Sequence, residues 1–374
     1  QSVALKIICE LEDKIKNFVP EKYWDVKGIF DGKYNLNLYK IDNEKIMKYY
    51  IQHIIFGISA LLMAFSMESC DTDHEPVKVK TPGISNQNPE LYARYLSALR
   101  TYKSGKHKIV LGWFDNSEKI PASQGQNIIA VPDSLDYLVL TLPENLNDRE
   151  LSEMKEIKEK KGIHTLFEIN FIRIKEDYDA EKEAFEDNPD NAGKIFNLDF
   201  RTYLVDKVQK RLKLCSTFNY DGVVMTFYAK TKLYMTEKEK TAQRTLENIF
   251  LGIAKDWKQR HPDKVLALAG KPQNVDDKSV FYLCEYIIIP CQASTSASDI
   301  VYSINKAVVE GVPNNKIIPL VSMYSKDKTD TKTGYWGKSL SVLGTAKLAA
   351  QQHTDYQIIG LAIDNANNDY YHVR

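Results

Sequence analysis

From about residue 89 the chain alternates between short apolar runs and longer stretches with apolar residues at helical spacing. The apolar runs are Lys108–Phe114, Tyr137–Leu142, His164–Asn170, Gly222–Tyr228, Val265–Ala269, Tyr286–Pro290, Ile317–Ser322 and Ile358–Ile363. Runs of Val, Ile and Leu without polar alternation predict strands covered on both faces. A leading helix is expected at PELYARYLSALRTYKSG. Others are expected at Asn147–Lys160, Leu198–Leu214, Glu237–Arg260, Ser298–Glu310 and Lys338–Gln352. In Leu198–Leu214, Leu204, Val208 and Leu212 stand four apart and form one apolar stripe. Eight strands separated by helices predict an α/β chain folded as a TIM (β/α)8 barrel over residues 89–374. An open doubly wound sheet is the alternative, but no GxGxxG or P-loop marks a nucleotide site for it. Only Asp364–Arg374 follow the last strand, so the closing helix is expected to be missing and the C-terminus to be cut short.

The residues before the barrel belong to other designs. Residues 47–69 hold a Met, one Lys and then an apolar run too short to span a bilayer comfortably, ending at Ser69 and Cys70. That is the anatomy of a secretory signal. It resembles a bacterial lipoprotein signal, which implies lipidation of Cys70. Residues 70–88 are polar, Pro-containing and without periodicity, and read as a flexible tether. Their first residues, Asp71-Thr72-Asp73-His74-Glu75, resemble the surface-export signal of lipoproteins in the Bacteroides group. The resemblance implies an outer-membrane, cell-surface protein held by a lipid anchor.

Residues 1–46 predict a short helix and then one or two strands around an Asp31-Gly32 turn, a unit too small to hold a core alone. Gln1–Ile8 followed by Phe18-Val19-Pro20-Glu21-Lys22-Tyr23-Trp24 is similar to a stretch of bacterial type IA DNA topoisomerases. It includes neither the acidic metal-binding domain nor the nucleophilic tyrosine segment of that family, so no topoisomerase activity is carried over. The segment is expected to be misjoined to the chain, with Met47 as the biological start.

Composition narrows the function. The 374 residues include 50 Lys+Arg and 50 Asp+Glu, and this neutrality argues against a dedicated nucleic-acid binder. The balance holds within the barrel. Residues 1–46 carry eight of each sign and 47–69 one of each, leaving 41 of each for 70–374. A hydrophobic share of 43% excludes a wholly disordered chain. The five cysteines (Cys9, Cys70, Cys215, Cys284 and Cys291) include no CxxC pair, and no zinc spacing is present. Neither metal nor cofactor is expected.

In a TIM barrel the site forms at the C-terminal ends of the strands. The fourth strand and its approach read Asn219-Tyr220-Asp221-Gly222-Val223-Val224-Met225-Thr226-Phe227-Tyr228. This resembles glycoside hydrolase family 18, the chitinases and endo-β-N-acetylglucosaminidases, whose fourth strand carries Asp-Gly-x-Asp-x-Asp-x-Glu. Asp221 and Gly222 match. The family's three acids fall on Val224, Thr226 and Tyr228, which strand alternation places on one face lining the barrel. In the family the Glu protonates the leaving oxygen, and the last Asp steadies the substrate's acetamido group as internal nucleophile. The sixth strand also departs, ending Ile289-Pro290-Cys291-Gln292 where the family has a Met-x-Tyr-Asp-like end.

The resemblance therefore implies a non-catalytic glycan-binding protein, taking an N-acetylglucosamine-containing oligosaccharide or N-glycan, alongside other glycan-uptake proteins. The alternative is an active endoglycosidase using displaced carboxylates, Glu168 and Asp364. Sugar rings stack on aromatics and their hydroxyls need planar amide or carboxylate partners. The candidate binding residues are thus Trp113, Asp115, Asn170, Tyr228, Gln292, Tyr324 and Asn365 at strand ends, with Trp336 on a rim loop.

Overall fold

The computed structural model describes residues 26–30, 34–38 and 88–371. Two units divide near Pro89. In the first, β1 (Val26–Phe30) pairs antiparallel with β2 (Tyr34–Leu38), Val26 opposite Leu38 and Phe30 opposite Tyr34. These are the strands expected around Asp31-Gly32. The signal at 47–69, Cys70 and the tether up to Gln87 lie outside the described residues.

The second unit begins with α1 (Pro89–Ser104). Eight parallel strands follow: β3 (Ile109–Phe114), β4 (Tyr137–Leu140), β5 (His164–Asn170), β6 (Gly222–Phe227), β7 (Val265–Gly270), β8 (Tyr286–Pro290), β9 (Ile317–Ser322) and β12 (Gly360–Asp364). They close into a barrel in chain order, β12 pairing with both β9 and β3. The connections carry α2 (Asp148–Glu156), α3 (Phe171–Asp187), α4 (Phe200–Thr217), α5 (Glu237–Arg260), α6 (Val280–Leu283), α7 (Ala297–Ala307) and α8 (Ser341–Ala350). Between β9 and α8 a two-stranded hairpin is inserted, β10 (Tyr335–Trp336) and β11 (Ser339–Leu340). β12 is followed by a 3-10 helix at Ala366–Tyr371. Its Ala366 packs so close to β3 that a Cβ on Gly112 would lie 2.9 Å from it.

Side-chain alternation sorts each strand into two layers. Leu111, Val139, Leu166, Val224, Ala267, Ile288, Ile318 and Ala362 fill the barrel interior. Phe167, Val223, Met225, Leu268 and Ile287 point outward and pack with Leu204, Val208, Phe250 and Ala254 of α4 and α5. Both faces are dry, which is why the strand sequences show no polar alternation.

The N-terminal rim is held by a repeated device. Asp136, Asp221 and Glu285 each stand one residue before a strand. Each donates its backbone N–H to the neighbouring strand, at Val110, Thr165 and Leu266, over 2.8, 2.8 and 2.9 Å. The carboxylate of each then takes the N–H of that same residue, at 2.8, 3.0 and 2.8 Å. A basic side chain completes each clamp: His107, Lys158 and Lys258. The reciprocal pair fixes register where a parallel ladder begins.

Asp221 is thus a structural residue, at the opposite end of β6 from the barrel mouth. Burial opposes its charge, but hydrogen bonds from His164, Lys158 and the Thr165 N–H prevail and hold its carboxyl down to about 2. A carboxyl lowered on folding stabilises the fold above its unfolded value, and that stabilisation is lost as pH falls through the folded value. Asp221→Asn is therefore expected to remove about 1–2 kcal/mol at pH 7 and to flatten the loss of stability between about pH 4 and 2. Denaturant titrations across that range measure it, and an unchanged acid limb would contradict the clamp.

Candidate functional site

At the C-terminal mouth of the barrel lies a cavity of 490 Å³. It is lined by Trp113, Asp115, Glu168, Asn170, Tyr228, Gln292, Asp364 and Asn365, together with Arg173, Ser117, Thr141, Leu142, Ala269 and Leu320. Six of the eight predicted binding residues and both displaced carboxylates meet here. Trp113 is the last inward-facing residue of β3, 95% covered, and presents its indole as an apolar wall. Asp115 is exposed and turns its Oδ1 to the Ser117 N–H at 2.9 Å. Asn170 caps α3, accepting the Ile172 N–H on its Oδ1 at 2.9 Å. Asn365 adopts φ 54°, a left-handed conformation that asparagine tolerates, directly after Asp364.

The three positions of the family acids run up one side. Val224 is fully buried in the interior layer, and register places it beside Glu168. Thr226 is buried and donates its hydroxyl to Glu168 Oε1 at 2.6 Å. Tyr228 lines the cavity. Burial, reinforced by the negative charges of Glu168 and Asp364, pushes its phenol up to about 12. Such a phenol is a neutral hydrogen-bond donor at any physiological pH. It does not supply a proton to a glycosidic oxygen as a carboxylic acid does.

Burial also raises the Asp364 carboxyl. The Asn365 N–H, the Arg173 charge and the Gln292 side chain act against this rise without cancelling it. Glu168 is nine-tenths buried, and only its Oε1 is engaged by a described neighbour. Among the described residues, no group of three or more His, Cys, Asp or Glu is placed to hold a metal ion.

Two expected binding residues stand elsewhere. Tyr324 is buried, donates its hydroxyl to the Asp369 carbonyl at 3.2 Å and stacks on Tyr335. Trp336 donates its indole N–H to the Ser294 carbonyl at 3.0 Å, and its ring lies against Gly344 of α8. Neither lines the cavity. Both tie the β10–β11 hairpin down, and their polar groups are spent on the protein itself.

Sequence reasoning missed Arg173, the cationic side chain of this cavity. It sits in the first turn of α3, a helix that carries only one fully buried residue, Ile174. Without an apolar stripe the periodicity is silent. The Asn170 cap directly after a strand was the available signal.

Residues 72–374 match the family model described as Glycoside hydrolase family 18, BT1044-like. A solved structure of BT1044, selenomethionine-labelled and carrying a Glu-to-Gln substitution, is similar with a TM-score of 0.50 and 15% identity. The match covers 77% of this chain and 90% of that one. An endo-β-N-acetylglucosaminidase from Cordyceps militaris gives a TM-score of 0.48 at 14% identity over 73% of this chain and 86% of the other. At these identities the likeness concerns the fold alone. Separately, a stretch of 31 residues is 61% identical to DNA topoisomerase 1 of Treponema pallidum, which is 8% of this chain and 4% of that protein's length.

Proposed function

Since the chain belongs to glycoside hydrolase family 18, in its BT1044-like group, we propose that it captures N-acetylglucosamine-containing glycans without cleaving them. One observation carries this reading: a mouth cavity built for a small ligand whose family acid positions hold Val224, Thr226 and Tyr228. The cavity volume falls in the ordinary range of small-ligand sites. The Trp113 ring offers a stacking face for a pyranose. The Tyr228 hydroxyl, Asn170, Gln292 and Asn365 offer hydrogen bonds to hydroxyls. General acid catalysis alone is worth roughly 10²–10⁴ in rate. Val224, Thr226 and Tyr228 supply neither that proton donor nor the carboxylate that orients the acetamido nucleophile in the family.

The setting of the protein follows from the segment ahead of the barrel. With Cys70 lipidated, residues 70–88 tether the barrel to the outer membrane. The cavity then presents captured glycan to other uptake proteins. The Met47–Cys70 pattern and the acidic residues behind it support this placement.

Calorimetric titration with chitooligosaccharides and N-glycans tests the reading. Saturable binding is expected, weakened about tenfold to a hundredfold by Tyr228→Ala, through loss of one ring face and one hydroxyl. Absence of binding to every such glycan would refute it.

A second reading draws on Asp364. A carboxyl raised by burial that shares its cavity with a second carboxyl, Glu168, is a pattern used by general acids. If the chain hydrolyses glycans, turnover should vanish in Glu168→Gln and Asp364→Asn.

A further inference from the structure

The mouth cavity is charged in a way that an uncharged sugar does not use. Three carboxylates, Asp115, Glu168 and Asp364, share it with a single guanidinium, Arg173. Glu168 shows the imbalance most clearly. It is 91% covered, its Oε1 takes the Thr226 hydroxyl, and no described group hydrogen-bonds its other oxygen. That second oxygen is not sealed in the core; it opens to the cavity, where a donor on a ligand can reach it. Arg173 does not answer it, since it is exposed and donates over a long 3.5 Å to the Thr141 carbonyl.

The acidic lining also continues outward. An adjoining cavity of 290 Å³ shares Thr141, Glu168, Asn170 and Arg173 and adds Glu176. The cation on that side, Arg211, is already bound to Glu144 and Asp177 at 3.0 and 3.4 Å. Among the described residues, neither cavity thus holds a cation beyond Arg173 that is not already paired.

An acetamido group is neutral and cannot compensate these charges. An ammonium group carries one positive charge and three donors. It suits a pair of carboxylates and is also attracted to an indole face. We propose that the cavity selects amino sugars with a free ammonium group, that is, glucosamine units lacking the N-acetyl group, received by Glu168 and Asp364 beside Trp113. The proposal rests on the glycan-capture reading and refines its ligand. It also gives the raised Asp364 carboxyl a use, because a bound ammonium adds to the partial counter-charge that Arg173 supplies.

The test is calorimetry on the full chain at pH 6 with two disaccharides, β-1,4-linked glucosamine and its di-N-acetylated form. The free-amine sugar is expected to bind at least about tenfold more tightly. Glu168→Gln keeps an acceptor for Thr226 and should reduce that preference to within about twofold, with an unchanged melting curve. Glu237→Gln, on the exposed first turn of α5, should leave the preference intact and so exclude a general charge effect. Equal or tighter binding of the N-acetylated sugar would overturn the proposal while leaving glycan capture standing. A preference that survives Glu168→Gln would overturn it as well. Failure of both sugars to bind would overturn it, and failure of longer N-acetylated glycans too would remove the capture reading beneath it.

Discussion

Restoring the first family acid, by Val224→Asp, is expected to destabilise the barrel by about 3–5 kcal/mol and to yield no hydrolysis. Val224 is fully buried among Leu166, Ala267 and the other interior side chains. No described donor waits there for a carboxylate. Its register partner on β5 is Glu168, so the new carboxylate would face an existing one across the β5–β6 ladder. Burying an unpaired charge costs more than any hydrogen bond it might recruit. The buried carboxylate of this layer stands on β5 rather than β6, and the packing has closed around that choice. Val224→Asn has nearly the same size without the charge and should cost clearly less. Denaturant midpoints at constant slope separate the two variants. A Val224→Asp protein as stable as the parent would show that the interior still accommodates the family acid.

Gly222→Ala is expected to cost about 3 kcal/mol or more, for a different reason. The backbone of β6 runs so near β7 that a Cβ at residue 222 would lie 2.1 Å from the Val265 carbonyl oxygen. Backbone cannot rotate away as a side chain can. The β6–β7 ladder must shift, next to the Asp221 clamp. A fall in melting temperature of roughly 6–12 °C follows for a domain of this size. An unchanged melting temperature would mean that the close approach is not a constraint. Together, Asp221 and Gly222 account for the part of the family motif that this chain retains. Those two residues build the strand, whereas the three missing acids perform chemistry. A chain without those acids still has to fold.

The eight strands were legible because burial on both faces leaves long runs of Val, Ile, Leu and Ala that nothing else explains. Their C-terminal ends then named the mouth, and alternation put residues 224, 226 and 228 on one face. Trp113, Glu168 and Asp364 could be gathered from the sequence for that reason alone. The misses share a cause. Helix α3 is rich in Lys, Glu and Asp and buries little, so no stripe announced it, and Arg173 went with it. The β10–β11 hairpin is two residues per strand, too short for any periodicity, although Gly337 at φ 62° marks its turn. Tyr324 was expected at a strand end and Trp336 on a rim loop, both from position alone. What they touch depends on how that hairpin folds back over α8, which spacing does not encode.

The most direct test of non-catalytic capture combines binding and product release in one sample. The protein is incubated with chitooligosaccharides and N-glycans at saturating concentration, and the glycans are followed over time by mass spectrometry. Saturable binding with every glycan recovered at its original mass is the predicted result. Accumulation of shortened N-acetylglucosamine-containing products, abolished by Glu168→Gln and Asp364→Asn, would contradict it.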